Sequence, residues 1–130
     1  MKPTLFLSRV LLLDGVTCAV FGLFLLVDGP FLADMGALPL GLLRGAGAML
    51  LPCAALLLWM SRRASLPIAL VWAVIALNIG WVVDSVALLE LGWIKPNGLG
   101  MAFVLAQAAA VAAVAVLEYA GLRRSSLSPA

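Results

Sequence analysis

Four long apolar stretches constrain this chain more than any other feature of its sequence. They cover about residues 5–27, 38–60, 66–91 and 96–120. Each is long enough to cross the roughly 30 Å hydrocarbon core of a bilayer as a helix of about 20 residues. The stretches are continuous and rich in Leu and Ala, which favour helices over the alternating strands of a membrane barrel. The sequence therefore predicts an all-α membrane protein with four transmembrane helices.

Composition removes several other classes of protein. Of the 130 residues, 65% are hydrophobic and only 11% are charged, and a soluble domain of this size cannot bury so much apolar surface. The chain contains no histidine, which excludes imidazole-ligated metal sites and bis-histidine haem. It also lacks a glycine-rich phosphate loop. We therefore expect no metal, no cofactor and no nucleic-acid partner.

The basic residues predict the orientation. Six lie near the N-terminus, between the second and third spans, or near the C-terminus, whereas the other two loops together hold only Lys95. Lys and Arg accumulate on the cytoplasmic side, so both termini are expected there, in a bacterial inner (plasma) membrane. The connections are short, which predicts an antiparallel up-down four-helix bundle. Residues 1–121 would form this single domain and residues 122–130 a short flexible cytoplasmic tail.

A few polar residues lie at membrane depth, where each is costly unless it faces the bundle interior. At a rise of about 1.5 Å per residue, Asp14, Asn78 and Gln107 fall near mid-membrane, and Arg44 and Asp84 lie further outward. On each helix these residues share an arc, so the arcs are expected to face one another or a shared cavity. The candidate ligand or proton site consists of Asp14, Arg44, Asn78, Trp81, Asp84 and Gln107.

Two ion pairs are predicted as structural contacts. Arg44 needs an anion at membrane depth, and Asp84 is the first candidate, with Asp14 as the alternative. Arg9 and Glu118 form a second candidate pair near the cytoplasmic boundary. One arginine between two aspartates leaves a surplus negative charge, which calls for a protonated aspartate, a cation or a basic ligand. Buried polar residues also serve simply as interhelical contacts, and this alternative stays open.

Three smaller features carry expectations about packing. Gly41-x-x-x-Gly45 is typical of close helix contact, here expected within the bundle rather than at a dimer interface. Pro52 lies inside the second span and should kink it or free a carbonyl one turn earlier. Cys18 and Cys53 differ in depth by roughly 10 Å, too far for a disulfide, so two buried thiols are expected.

Several local patterns resemble a loose group of small four-helix inner-membrane proteins of bacteria with no assigned activity. They are the segments 42–47 (LLRGAG) with Leu51-Pro52, 78–81 (NIGW), and 96–100 (PNGLG) with Phe103 and Gln107-Ala108. The resemblance implies the same four-helix architecture and provides no known catalytic residues to transfer. The chain is also similar to small multidrug-resistance transporters in size, helix count and a carboxylate in the first helix. Those transporters use glutamate there, are shorter and have a weaker charge bias.

Three functional hypotheses follow. The first is a non-enzymatic subunit or accessory factor, which interacts in the bilayer with lipid, a membrane-protein partner or a second copy. The alternative is an oligomeric proton-coupled transporter, or a protein that binds a lipid or a small hydrophobic or cationic ligand in a midplane pocket around Asp14. A lipid-modifying or isomerising enzyme with Asp14 or Asp84 as acid is the third, and it lacks a base suited to neutral pH. A cavity beside Asp14 would favour the alternative, and a dry polar cluster the first.

Overall fold

The computed structural model describes residues 2–125, and these residues form five helices. They are α1 (Leu5–Val27), α2 (Gly29–Gly36), α3 (Leu40–Ser61), α4 (Ile68–Glu90) and α5 (Gly98–Arg124). All except the short α2 are long and apolar enough to cross a membrane, as expected of a multi-pass membrane protein. The prediction of an all-helical chain with four candidate spans is therefore confirmed.

The helix α2 was not predicted. It lies between the first two predicted spans, and Pro30 falls in its first turn, where the missing N–H costs no hydrogen bond. The helix ends at Gly36 and is followed by Ala37, whose φ of 53° lies in the left-handed region. The first connection is thus a short helix rather than a loop.

The ends of the long helices follow local rules. The Thr4 hydroxyl accepts a hydrogen bond from the Leu7 amide at 3.2 Å, and the Asn97 side chain accepts one from the Gly100 amide at 2.8 Å. Pro39 and Pro67 immediately precede α3 and α4, where proline has no helical hydrogen bond to lose. The helix α3 continues through Pro52, which has no N–H to give to the carbonyl one turn earlier.

The first residues of the predicted tail belong to the fold. Residues 122–124 belong to α5, and the helix is followed by the buried Ser125, whose hydroxyl accepts a hydrogen bond from the Thr4 amide at 3.2 Å. This contact joins the start of α1 to the end of α5. The rest of the predicted tail, residues 126–130, lies outside the described residues.

The long helices associate mainly as two pairs, α1 with α3 and α4 with α5, and α1 also contacts α5. In the first pair the backbones meet at two glycines, because a Cβ on Gly47 would lie 2.8 Å from the carbonyl oxygen of Gly22. No Cα of α3 (Leu40–Ser61) comes within 8 Å of a Cα of α4 (Ile68–Glu90). The helices therefore follow one another in the order α3, α1, α5, α4, and a cleft separates the two outer ones.

Two apolar clusters close the ends of this cleft through side chains. The first cluster joins all four long helices near the start of α1 and the end of α5, and the second lies at the opposite end, beside α2. The first contains Leu7, Leu11, Leu57, Met60, Leu66, Val71, Val74, Ile75 and Leu122. The second contains Leu25, Leu38, Leu43, Leu50, Ile94 and Val104. Polar side chains occupy the layer between them.

The predicted packing motif Gly41-x-x-x-Gly45 is not used within the described residues. A Cβ on either glycine would have no neighbour within 4 Å, because both positions lie on the exposed side of α3. The close contact of α3 is made instead by Gly47, whose partner Gly22 lies on another helix. Gly41 and Gly45 therefore leave an open face on α3.

Candidate functional site

Three helices bring a carboxyl cluster together, which we define as Asp14, Cys18, Asn78 and Glu118. The Asn78 amide nitrogen donates to Asp14 Oδ2 at 3.1 Å and also to Glu118 Oε1. The Cys18 thiol donates to Asp14 Oδ1 at 3.5 Å. Asp14 is 5% exposed and Glu118 is completely buried. Two acidic side chains from α1 and α5 thus share one amide donor from α4.

The sequence positions these groups in simple ways. Asp14 and Cys18 lie one helical turn apart, so they share a face of α1. Gly121 allows α5 to approach α1, because a Cβ there would lie 3.0 Å from the Leu7 Cβ. Side chains on a helix lean towards its N-terminus, which carries the Glu118 carboxyl from near the end of α5 towards the level of Asp14. A close helix contact and this lean together form the cluster.

The carboxyl cluster is short of donors. Glu118 Oε2 is buried and has no hydrogen-bond partner among the described residues. Arg9, the predicted partner of Glu118, is exposed. Among residues 2–125, its side chain forms no hydrogen bond or ion pair with Glu118. Glu118 is completely buried and accepts a hydrogen bond from Asn78, so this neutral amide takes the place predicted for the arginine. An unmet acceptor in this environment is costly.

A second polar group, the amide cluster, consists of Trp81, Ser85 and Gln107. The Trp81 indole N–H donates to Gln107 Oε1 at 2.6 Å, and Gln107 Nε2 donates to Ser85 Oγ at 2.9 Å and to the Val104 carbonyl at 2.8 Å. The Ser85 hydroxyl donates to the Trp81 carbonyl at 2.8 Å. These bonds form a closed loop between α4 and α5, with each of these polar groups partnered.

A cavity of about 440 Å³ lies between the helices beside Asp14. Its lining comes from all four long helices and is predominantly apolar, with Asp14, Asn78 and Gln107 among the few polar side chains. Phe21 and Phe103 stack across it with ring centroids 5.7 Å apart. Glu118 does not line the cavity, so Asp14 is the member of the carboxyl pair that meets it.

A neighbouring cavity of about 600 Å³ continues towards the second apolar cluster. The two cavities share Phe21, Met49, Trp81, Phe103 and Gln107, and together they fill the cleft between α3 and α4. Met49 on α3 and Leu77 on α4 are 62% and 59% exposed at its edges. The cleft therefore reaches the molecular surface on the side where α3 and α4 are separated.

The structure does not bring Arg44 and Asp84 together. Both are exposed, and their side chains make no polar contact with each other among residues 2–125. The stem of Arg44 lies against the start of α2, its Cγ 3.8 Å from the position of a Cβ on Gly29, whereas Asp84 lines the second cavity. The two residues lie on helices whose backbones do not meet, so similar depth is not enough to pair them.

Cys18 and Cys53 are both free thiols and both line the first cavity. Over residues 2–125, no group of three or more His, Cys, Asp or Glu side chains is arranged to hold a metal ion. The chemistry available at the cleft is therefore that of carboxyl, amide, hydroxyl, indole and thiol groups.

The position of Glu118 in the carboxyl cluster was not predicted from the sequence. Asp14 and Asn78 were correctly expected at one depth, and Gln107 and Trp81 are in direct contact. Glu118 had been assigned to the cytoplasmic boundary, although it shares a helical stripe with Gln107 that could have placed it in the interior.

Comparison of the chain with protein-family models, curated proteins and solved structures finds no match.

Proposed function

We propose that this chain is a non-enzymatic multi-pass protein of the bacterial inner membrane that binds a small amphiphilic ligand in its mid-membrane cleft. The ligand has an apolar body and a cationic or hydrogen-bond-donating head group. The single observation that carries the proposal is the cavity of about 440 Å³ beside the buried carboxyl of Asp14. A site confined to structural contacts between helices needs no such space.

The membrane arrangement behind this proposal is an antiparallel bundle with both termini in the cytoplasm. The contact between Thr4 and Ser125 supports it, since it joins the start of the first span to the end of the last. The charge bias supports it as well, because Arg62, Arg63 and the basic residues at both ends of the chain would share the cytoplasmic side. At about 1.5 Å per residue, Asp14 lies about 14 Å into α1, near the bilayer midplane.

The dimensions and lining of the cleft suit a small ligand. Ligand pockets commonly measure about 300–1,000 Å³, with apolar walls and a few polar groups that fix orientation. Here the stacked Phe21 and Phe103 rings form part of the apolar wall, and Asp14 provides a hydrogen-bond acceptor. A carboxyl in an apolar cavity favours a donor or a cation over an anion. The ligand class is therefore an amphiphile with an amine or hydroxyl head rather than a carboxylate.

A fluorescence titration tests the proposal. The chain has four tryptophans, and replacing Trp59, Trp72 and Trp93 with Phe leaves Trp81, which lines both cavities. The probe is a single-chain alkylammonium brominated on its chain, added to the protein in nanodiscs, with the matched alcohol and carboxylate as comparisons. We expect saturable quenching of Trp81 by the ammonium and the alcohol, and much weaker quenching by the carboxylate.

The control variants locate the head group. Asp14→Asn should weaken alkylammonium binding about tenfold or more, because it removes a charged hydrogen-bond acceptor. Asp34→Asn, an exposed aspartate on α2, should leave binding unchanged. Quenching that is not saturable, or that is equal for Asp14→Asn and the original protein, would overturn the proposal.

A second function, that of a subunit or accessory factor, is favoured by one observation. The face of α3 that contains Gly41 and Gly45 is open towards the second cavity, and helix pairs in membranes commonly meet at such small residues. We therefore also propose that another helix, from a membrane-protein partner or a second copy, packs there. Gly45→Leu should abolish cross-linking through a cysteine at position 41, whereas Gly80→Leu, at an open position on α4, should preserve it. Equal cross-linking in both variants would contradict this role.

A further inference from the structure

The buried oxygens of the carboxyl cluster need one more donor than the chain supplies. Asp14 and Glu118 present four carboxyl oxygens, and the partners found for them are the two N–H bonds of the Asn78 amide and the Cys18 thiol. Glu118 Oε2 is the oxygen that receives nothing, although the residue is completely buried. A donor or a positive charge is therefore missing at this position.

The groups that face the cluster do not provide a positive charge. From α1 they are Asp14 and Cys18, from α3 Cys53, from α4 the neutral Asn78 and from α5 Glu118 itself. Two like charges bonded to the same amide nitrogen repel strongly where water is scarce. A proton on one carboxyl removes this repulsion and supplies the missing donor in one step.

We propose that Asp14 and Glu118 act together as a proton-binding site that holds one exchangeable proton between them, with Asn78 fixing the two carboxyls side by side. The site goes beyond the proposed ligand binding, because it is occupied in the ligand-free protein. It lies where α1 of one helix pair meets α4 and α5 of the other. Loss of the proton places two charges at this junction and weakens the contact between the pairs.

Among residues 2–125, the cleft provides the route by which a proton reaches the site. Asp14 lines the cleft, whereas Glu118 is covered on the side of the chain ends by the first apolar cluster, which includes the completely buried Leu7, Leu11 and Met60. Exchange therefore proceeds through the cleft and Asp14, and then between the two carboxyls. The end of the molecule that carries Thr4 and Ser125 stays closed to it.

Nuclear magnetic resonance on ligand-free protein tests this site. The chain has two glutamates, Glu90 and Glu118, so carboxyl-labelled glutamate gives two signals, which Glu90→Gln assigns. Exposed Glu90 is the internal control. We expect Asp14→Asn to displace the pH titration of the Glu118 signal clearly and to leave that of Glu90 unchanged. A Glu118 titration that is the same in the original protein and in Asp14→Asn would overturn the shared site.

A measurement on the unaltered chain keeps the test decisive if Asp14→Asn does not fold. With labelled aspartate and glutamate, the Asp14 and Glu118 signals should respond in the same titration steps, since coupled groups titrate as a pair. Independent steps for the two signals would overturn the proposal. Because no ligand is added, a positive result here together with failed alkylammonium binding would remove the proposed function and leave the proton site.

Discussion

The carboxyl cluster and the amide cluster lie next to each other along the cleft, yet they satisfy their polar groups in opposite ways. In the amide cluster, Trp81, Ser85 and Gln107 close a ring of hydrogen bonds between 2.6 and 2.9 Å. In the carboxyl cluster, two acids share the Asn78 amide, and one oxygen of Glu118 has no partner among the described residues. Both clusters join residues of different helices within the candidate spans.

This difference separates structural contacts from a site with chemistry. A closed network of neutral groups stabilises helix association modestly and needs no further hydrogen-bond partner. An incompletely satisfied pair of acids costs free energy, and such groups inside membrane spans are typical of proton and ligand sites. Stability measurements on the two clusters should therefore give different patterns, and the four predictions below use unfolding of the detergent-solubilised protein by SDS.

The largest effect is expected for Asn78→Leu. This change removes the shared donor and leaves two adjacent acids without it, so the free energy of unfolding should fall by about 3 kcal/mol or more. The control is Ile79→Ala, an exposed neighbour on α4, which should cost little. A similar small effect for both variants would mean that the amide does not hold the acids together.

Gln107→Leu should have an intermediate effect. The change leaves the Trp81 indole N–H without its acceptor and takes the Nε2 donor away from Ser85. We expect a loss of about 1–2 kcal/mol in the same titration. A loss as large as that of Asn78→Leu would remove the distinction between the two clusters.

Ser85→Ala should cost less, about 0.6 kcal/mol, which is the average for a polar contact between membrane helices. Combined with Gln107→Leu, its effect should not be additive, because the two side chains share one hydrogen bond. Strict additivity in this double-mutant cycle would show that the ring does not act as a unit.

The smallest effect is expected for Glu118→Leu, although the side chain is completely buried. The change loses one bond to Asn78, but it also removes the unpartnered oxygen and the second acid, so stability should change by less than about 0.5 kcal/mol. Glu90→Leu at the exposed end of α4 serves as the control. If Glu118→Leu destabilised the protein as strongly as Asn78→Leu, the glutamate would be a structural residue.

The span positions could be predicted well because length and apolarity decide them within each segment. The first predicted helix, residues 5–27, agrees with α1 at both ends. The short α2 was missed because glycine and proline between two spans are typical of helix ends, whereas Pro30 lies in a first turn, where proline is well tolerated. The fold prediction was therefore wrong where one residue type, proline, can either end a helix or lie in its first turn.

The site was only partly predictable, because the missing information concerns how one helix is rotated against another. Similar depth in the membrane predicted a contact between Asp14 and Asn78, and these two residues do form a hydrogen bond. The same criterion predicted a contact between Arg44 and Asp84, but both lie exposed on separate helices. The pairing of Gly22 with Gly47 could not be found from spacing within one helix. Glu118 was assigned by charge to Arg9, while its partner is a neutral amide.

The separation of α3 and α4 determines what any occupant of the cleft has to displace. In a bilayer, a gap with exposed Met49 and Leu77 at its edges is filled by lipid tails, which are as apolar as the walls. Exchanging one hydrocarbon for another releases little free energy, so the tail of a ligand contributes almost nothing to preference. For the proposed ligand, selection would then depend on the head group at Asp14, and apparent affinity would vary with the acyl chains of the surrounding membrane.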